Sequence, residues 1–186
     1  MSAGVAPRRV ILTGFMGAGK TTVGRKLAER LGWVFRDLDE VVEHKHEKSV
    51  EAIFAERGET EFRTMETVTL QDLLDENDAA HGQGVVIALG GGAITLPRNR
   101  DAIQRSGAFT ILLEAPLEEL KRRVGLDGKT RPLATSDQAL AQLFLKRQAD
   151  YHLIRHRLQT LDKTIEQVAA ELESILAAAT QPEVVE

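Results

Sequence analysis

The chain of 186 residues has a formal net charge of −4, with 42% hydrophobic and 28% charged residues and no cysteine. That length predicts one domain with a sizeable core, and the slight acidity excludes a broad nucleic-acid-binding face. The lack of cysteine excludes disulfides, thiolate metal ligands and a cysteine nucleophile, and no apolar stretch approaches a membrane span.

Residues 1–7 read as a disordered lead-in without the apolar stretch of a signal peptide, so a cytoplasmic setting is expected. Val10–Thr13 predicts a buried first strand and Thr22–Leu31 a first helix, with Gly32 as its stop. A short second strand is expected from Trp33, ending at Arg36-Asp37-Leu38-Asp39, before a helix from about Glu40. Ser49 can cap a further turn of helix that Gly58 breaks, and a longer helix is expected over Glu59–Asn77. A polar loop, Asn77–Gly84, leads to a third strand at Val85–Leu89, which runs into Gly90-Gly91-Gly92. Pro97 opens a helix to about Arg105, Phe109–Leu113 is the fourth strand, and Pro116–Val124 the next helix. The polar stretch 125–137 is expected to be a short mobile lid. A long helix over Asp137–Arg155 and a weak fifth strand at Arg157–Thr160 follow, and Thr164-Ile165-Glu166-Gln167 is a capping-box pattern for the last helix. Strands alternating with helices predict an α/β fold: one domain over 8–178, a five-stranded parallel sheet with helices on both faces, and a tail at 179–186. Ligands of such sheets bind beyond the strand C-termini.

The segment Gly14-Phe15-Met16-Gly17-Ala18-Gly19-Lys20-Thr21 fits G-x-x-x-x-G-K-[ST], the P-loop pattern, in its required setting between a strand and a helix. Glycines let the backbone curl so that successive N–H groups face one anion. The helix N-terminus adds unpaired N–H groups and a positive dipole end. Lys20 can reach the β- and γ-phosphates, and the Thr21 hydroxyl can ligate Mg²⁺.

Other groups carry more than one meaning. Asp37 and Asp39, two apart on a strand, would share a face beside the P-loop, one to orient water on Mg²⁺ and the other to take a hydroxyl proton; a solvated acidic turn is the alternative. Gly90–Gly92 would admit a ligand close to the backbone or form a plain turn. Arg63 with Glu66 is either a surface pair or a held carboxylate anchor. Arg131 is either a lid group for the transferring phosphoryl or a solvated charge, and Arg147 either a ligand group or part of a solvated helix face. His152 and His156, at i,i+4 spacing, lack a third metal ligand and read as surface histidines.

Together these residues resemble a family. Gly14 to Gly24, Phe35-Arg36-Asp37-Leu38-Asp39, Ile53-Phe54, Gly58-Glu59, Phe62-Arg63-Thr64-Met65-Glu66, Gly90-Gly91-Gly92-Ala93, Arg131-Pro132-Leu133 and Arg147 look like shikimate kinase, in order, from about residue 8 to 175. The resemblance implies phosphorylation of the shikimate 3-hydroxyl by ATP with Mg²⁺, on the route to chorismate and aromatic amino acids. It implies that Gly17, Ala18, Gly19, Lys20, Thr21 and Thr22 wrap the ATP phosphates, and that Thr21 and Asp37 serve the metal. It further implies that Asp39 is the base, that Arg63 and Arg147 grip the carboxylate, and that Gly90, Gly91 and Gly92 adjoin the ring hydroxyls. Arg131 would come from the lid onto the phosphates, Arg123 would stack near adenine, and Thr160–Thr164 would line the adenine edge. The segment Leu161-Asp162-Lys163-Thr164 lacks the proline frequent in the family, and 125–129 follows no fixed family pattern. A monomer acting on small molecules, with neither nucleic acid nor membrane as partner, is expected. The rivals are another small-molecule P-loop kinase, such as one for gluconate or a nucleoside monophosphate, and a non-catalytic nucleotide-binding module. GTPase switches need D-x-x-G and N-K-x-D, and the chain has neither.

Overall fold

The computed structural model describes residues 7–76, 83–126, 132–134 and 136–179. In chain order its elements are β1 (Arg9–Thr13), α1 (Lys20–Leu31), β2 (Val34–Asp37), α2 (Leu38–His46), α3 (Val50–Asp75), β3 (Val85–Ala88), α4 (Pro97–Arg105), β4 (Phe109–Glu114), α5 (Leu117–Leu126), α6 (Asp137–Tyr151), β5 (His156–Gln159) and α7 (Ile165–Ala179). A 3-10 turn at Ala93–Thr95 joins the glycine triplet to α4.

All five strands are parallel, in the order β2-β3-β1-β4-β5. The apolar run that predicts β1 occupies the middle of the sheet, with Val10, Ile11 and Leu12 fully buried. Such a strand is covered on both faces, which is why its apolar residues are continuous rather than alternating. Ile11 sits level with Ile87 of β3 and Thr110 of β4. The chain turns to β3 on one side of β1 and to β4 on the other, so a crevice opens at the C-terminal end of β1. The P-loop leaves β1 there, and the glycine triplet leaves β3 beside it, with the Leu89 amide donating to the Leu12 carbonyl at 2.9 Å.

Local signals act where the sequence puts them. Gly32 takes φ 65° and closes α1. The Ser49 hydroxyl accepts the Ala52 amide at 3.1 Å. Thr164 and Gln167 form a reciprocal capping box, at 2.8 and 3.2 Å. Gly58, at φ 78° and ψ 174°, interrupts α3 with a conformation that side chains disfavour, so the break appears as a kink within one continuous element. α1 packs on α7, and α3 on α4 and the 3-10 turn. Leu27, Ile53, Leu70 and Leu172 are among the fully buried side chains, each contributing about 1.5–3 kcal/mol of burial.

Two expectations change. β2 ends at Asp37, and Asp39 lies in the first turn of α2, so the two carboxylates do not share a strand face. The cause is the Asp37 side chain, which caps the Asp39 and Glu40 amides and starts the helix early. α6 ends at Tyr151, so His156 falls in β5, stacked on Phe109, and does not share a helix face with His152. Residues 127–131 and 135, part of the expected lid and including Arg131, lie outside the described residues, as do 77–82 of the expected polar loop and residues 1–6 and 180–186. Among the described residues no helix is long and apolar enough to cross a membrane.

Candidate active site

The P-loop holds its curl at three glycines. Gly14, Gly17 and Gly19 take φ of 142°, 79° and 92°. A Cβ at Gly14 would stand 2.4 Å from the Leu113 carbonyl oxygen, so the loop presses against the end of β4 where only glycine fits. Gly19 caps α1, and the Lys20 ammonium donates to the Phe15 carbonyl at 3.0 Å, folding the lysine back over its own loop. The nest and the helix end therefore share one anion-facing concavity.

Thr21 connects this loop to the next strand. Its hydroxyl donates to Asp37 Oδ2 at 2.6 Å, while Asp37 Oδ1 accepts the Asp39 amide at 3.0 Å. One carboxylate thus ties the N-termini of α1 and α2 together. Hard oxygen donors beside a phosphate nest suit Mg²⁺, which takes one or two protein oxygens and fills its shell with phosphate and water.

Asp39 faces the glycine triplet. A Cβ on Gly90 would stand 2.6 Å from Asp39 Oδ1 and 2.7 Å from Glu66 Oε1. Burial, then the charges of Glu66 and Asp37, push the Asp39 carboxyl up to about 7, against the pull of Lys20 and Arg63. A carboxyl poised there can exchange a proton near neutral pH.

Arg63 and Glu66 meet across one turn of α3, with Nη1 donating to Oε2 at 2.7 Å. Glu66 is fully buried, and its other oxygen, Oε1, has no hydrogen-bond partner. Burial pushes the Glu66 carboxyl up, while Arg63 and Arg147 pull it down. Arg147 reaches the same place from α6. It is 6% exposed, lies over the Phe15 ring at 5.6 Å from the centroid, and its Nη1 would stand 3.1 Å from a Cβ on Gly91. Burial, and then the neighbouring Arg63 charge against the help of Tyr151, lowers the Arg147 pKa. Among the described residues no carboxylate forms an ion pair with it, whereas Arg63 is paired with Glu66 at 2.7 Å and with Glu59 at 3.4 Å, so Arg147 brings a sheltered positive charge that has no carboxylate of its own. A Cβ on Gly92 would stand 2.3 Å from Arg63 Nη2. The triplet is glycine because these side chains crowd its backbone; none of the three has positive φ.

Phosphate nest, paired acids and two sheltered arginines meet at one crevice, and comparison with known proteins gives that crevice a family. A family model described as Shikimate kinase matches residues 16–177. The chain belongs to the shikimate kinase family.

A shikimate kinase of Geobacter sulfurreducens is 39% identical over 168 residues, 89% of this chain and 88% of that protein. A shikimate kinase of Geobacter metallireducens is 36% identical over 179 residues, 95% of this chain and 96% of that protein. A solved structure of shikimate kinase from Acinetobacter baumannii in complex with shikimate superposes with a TM-score of 0.84 at 34% identity, covering 94% of this chain and 95% of that one.

Set in a shikimate kinase fold, Arg123 holds the far side of the P-loop. Its guanidinium donates to the Thr160 hydroxyl and carbonyl, each at 3.0 Å, and to the Gly17 carbonyl at 3.4 Å, while Glu119 receives Nε at 2.7 Å. It therefore joins α5, the loop and the segment after β5, where Asp162 takes a positive φ of 55°. Thr22 is exposed on the first turn of α1. Two residues of the crevice escaped the sequence reading. Phe15 occupies a variable position of the P-loop pattern and had no role assigned to it, yet its ring lies under the Arg147 guanidinium. Tyr151 is buried beside the same arginine, and its i,i+4 spacing from Arg147 was the available signal.

Proposed function

We propose that this enzyme transfers the γ-phosphoryl group of ATP to the 3-hydroxyl of shikimate, in the route to chorismate and the aromatic amino acids. The observation that carries the reading is the reach of the glycine triplet. A Cβ on Gly91 would lie 3.5 Å from the Gly14 carbonyl oxygen and 3.1 Å from Arg147, and its neighbours touch Asp39, Glu66 and Arg63. A nucleotide on the P-loop and a small acid on the arginines would therefore be adjacent.

In this reading Gly17, Ala18, Gly19, Lys20, Thr21 and Thr22 hold the phosphates. Arg63 and Arg147 take the substrate carboxylate, a planar anion that suits the guanidinium fork. Glu66 keeps Arg63 aimed. Gly90, Gly91 and Gly92 leave room for the ring. Asp39 orients the 3-hydroxyl and accepts its proton. That oxygen bonds to the γ-phosphorus while the bond from phosphorus to the bridging oxygen breaks and ADP departs. Thr21 and Asp37 would hold Mg²⁺, which when bound neutralises phosphate charge. Lys20 stabilises the equatorial oxygens, with Arg131 assigned the same task, and Arg123 and Thr160–Thr164 border the adenine end. Positioning and electrostatics then supply most of the rate. A cytoplasmic monomer acting on small molecules, without nucleic acid or membrane, completes the proposal.

A coupled assay for ADP release tests it, with shikimate, gluconate, AMP and CMP as acceptors and with Mg²⁺ present or withheld. Release that needs both shikimate and Mg²⁺ is expected. Preference for another acceptor, or tight ATP binding without turnover, would contradict it.

A further inference from the structure

Tyr151 is the single tyrosine of the chain and the last residue of α6. Its ring is 3% exposed, and its hydroxyl donates to the Gly91 carbonyl oxygen at 2.7 Å. Arg147, one helical turn earlier, approaches the same glycine from the same face. A second fastening lies next to it. Arg100 Nη1 donates to Asp150 Oδ1 at 2.8 Å and to the Ile94 and Thr95 carbonyls, each at 2.9 Å. The end of α6 is thus attached at two points to the segment that follows β3.

We propose that Tyr151 is a positioning residue of the acceptor site: its hydroxyl locks the Gly91 peptide onto α6, so that the glycine triplet and Arg147 meet shikimate as one unit. The proposal rests on the reading of Arg147 as a carboxylate-binding group. The physical reason is the freedom of glycine. With no Cβ, the Gly91 peptide can rotate at little cost unless something holds it. A peptide is planar and trans, so a carbonyl fixed toward α6 turns the Gly92 N–H away from α6. The tyrosine hydroxyl is a dependable donor. Burial pushes it up to about 12, against the pull of Arg147 and Arg63, so it keeps its proton throughout the working pH range. Its oxygen also supports the charge of Arg147. Phenylalanine would keep the ring and lose both effects, leaving the Gly91 carbonyl without its donor.

Three measurements test this. Tyr151→Phe should raise the shikimate KM about tenfold, equivalent to about 1.4 kcal/mol, with the ATP KM within about twofold and the fold intact by circular dichroism. In an Arg147→Lys background the same change should raise KM by clearly less than tenfold, because both act on one contact. Since the chain has one tyrosine, 3-fluorotyrosine gives one fluorine resonance, which saturating shikimate should shift and ATP alone should not. A folded Tyr151→Phe enzyme with unchanged shikimate KM would overturn the proposal, as would an equal rise in both KM values. If Tyr151→Phe fails to fold, the fluorine resonance decides, and a line unmoved at shikimate concentrations that saturate turnover overturns it. An Arg147→Ala enzyme with normal shikimate KM would instead remove the acceptor-site reading, and the proposal with it.

Discussion

Replacing Asp39 by asparagine should cost activity and add stability, and both effects follow from one carboxyl. Its ordinary pKa of 3.8 rises to about 7 in the folded protein, through burial and then the charges of Glu66 and Asp37. A carboxyl raised on folding binds its proton more tightly in the native state than in the unfolded chain. Stability from that proton is greatest at low pH and is lost progressively between about pH 4 and pH 7. At pH 8 the ionised Asp39 costs up to about 4 kcal/mol, taking about 1.4 kcal/mol per pKa unit. Asparagine has nearly the same shape and no charge, so it should recover part of that cost. A gain of about 2 kcal/mol would raise the melting temperature by roughly 4–8 °C in a chain of this length. At pH 5.5 the native carboxyl is already protonated, and the advantage of asparagine should shrink to about half. The same enzyme should lose about 10²–10⁴-fold in turnover, the usual worth of a general base, while still binding ATP. The assay is a pair of thermal melts, wild type and Asp39→Asn, at pH 8 and 5.5, with shikimate-dependent ADP release alongside. Equal stability at pH 8, or an advantage that grows on acidification, would refute the electrostatic reasoning; near-normal turnover would refute the base.

The wild-type enzyme should show an acid limb in kcat/KM for shikimate near pH 7, falling about tenfold per pH unit below it; a profile flat down to pH 5 would mean that Asp39 does not titrate in the reaction. Arg63→Ala should raise the shikimate KM by about 10–100-fold, the range for a lost charge-assisted hydrogen bond, with a modest change for ATP. It should also destabilise the fold by about 3–5 kcal/mol because it strands buried Glu66, and Arg63→Lys should restore part of both; unchanged shikimate affinity would remove Arg63 from the site. Gly92→Ala puts a methyl group 2.3 Å from Arg63 Nη2, so the arginine must move, and steady-state kinetics should show a raised shikimate KM with ATP little affected. Thr21→Ala should raise the Mg²⁺ concentration needed for half-maximal rate, and an unaltered Mg²⁺ titration would argue against the Thr21–Asp37 assignment.

Much of this molecule is legible in the sequence because its strongest signals are local. The P-loop glycines, the Gly32 stop, the Ser49 cap and the Thr164 capping box need only neighbours in the chain. The pair Arg63 and Glu66 is legible for the same reason, being one helical turn apart. Local patterns fail where a distant surface decides. From its own stretch of chain Arg147 could be either a ligand group or part of a solvated helix face; the fold buries it while its neighbour Lys146 stays exposed, because Phe15 and Gly91 meet it from distant segments beside Tyr151 of its own helix. Asp37-Leu38-Asp39 read as a strand end until the Asp37 cap turned its second half into helix. The glycine triplet was found for room beside a ligand, whereas what its backbone meets in the fold is Asp39, Glu66, Arg63 and Arg147.

The most direct test of the central claim is the identity of the product. Incubation with ATP, Mg²⁺ and shikimate, followed by ³¹P–¹H correlation spectroscopy, reports which oxygen receives the phosphoryl group. One phosphorus signal coupled to the ring proton at carbon 3, formed in step with ADP, is the expected result. Phosphorus on another hydroxyl, or inorganic phosphate released with shikimate unaltered, would contradict it.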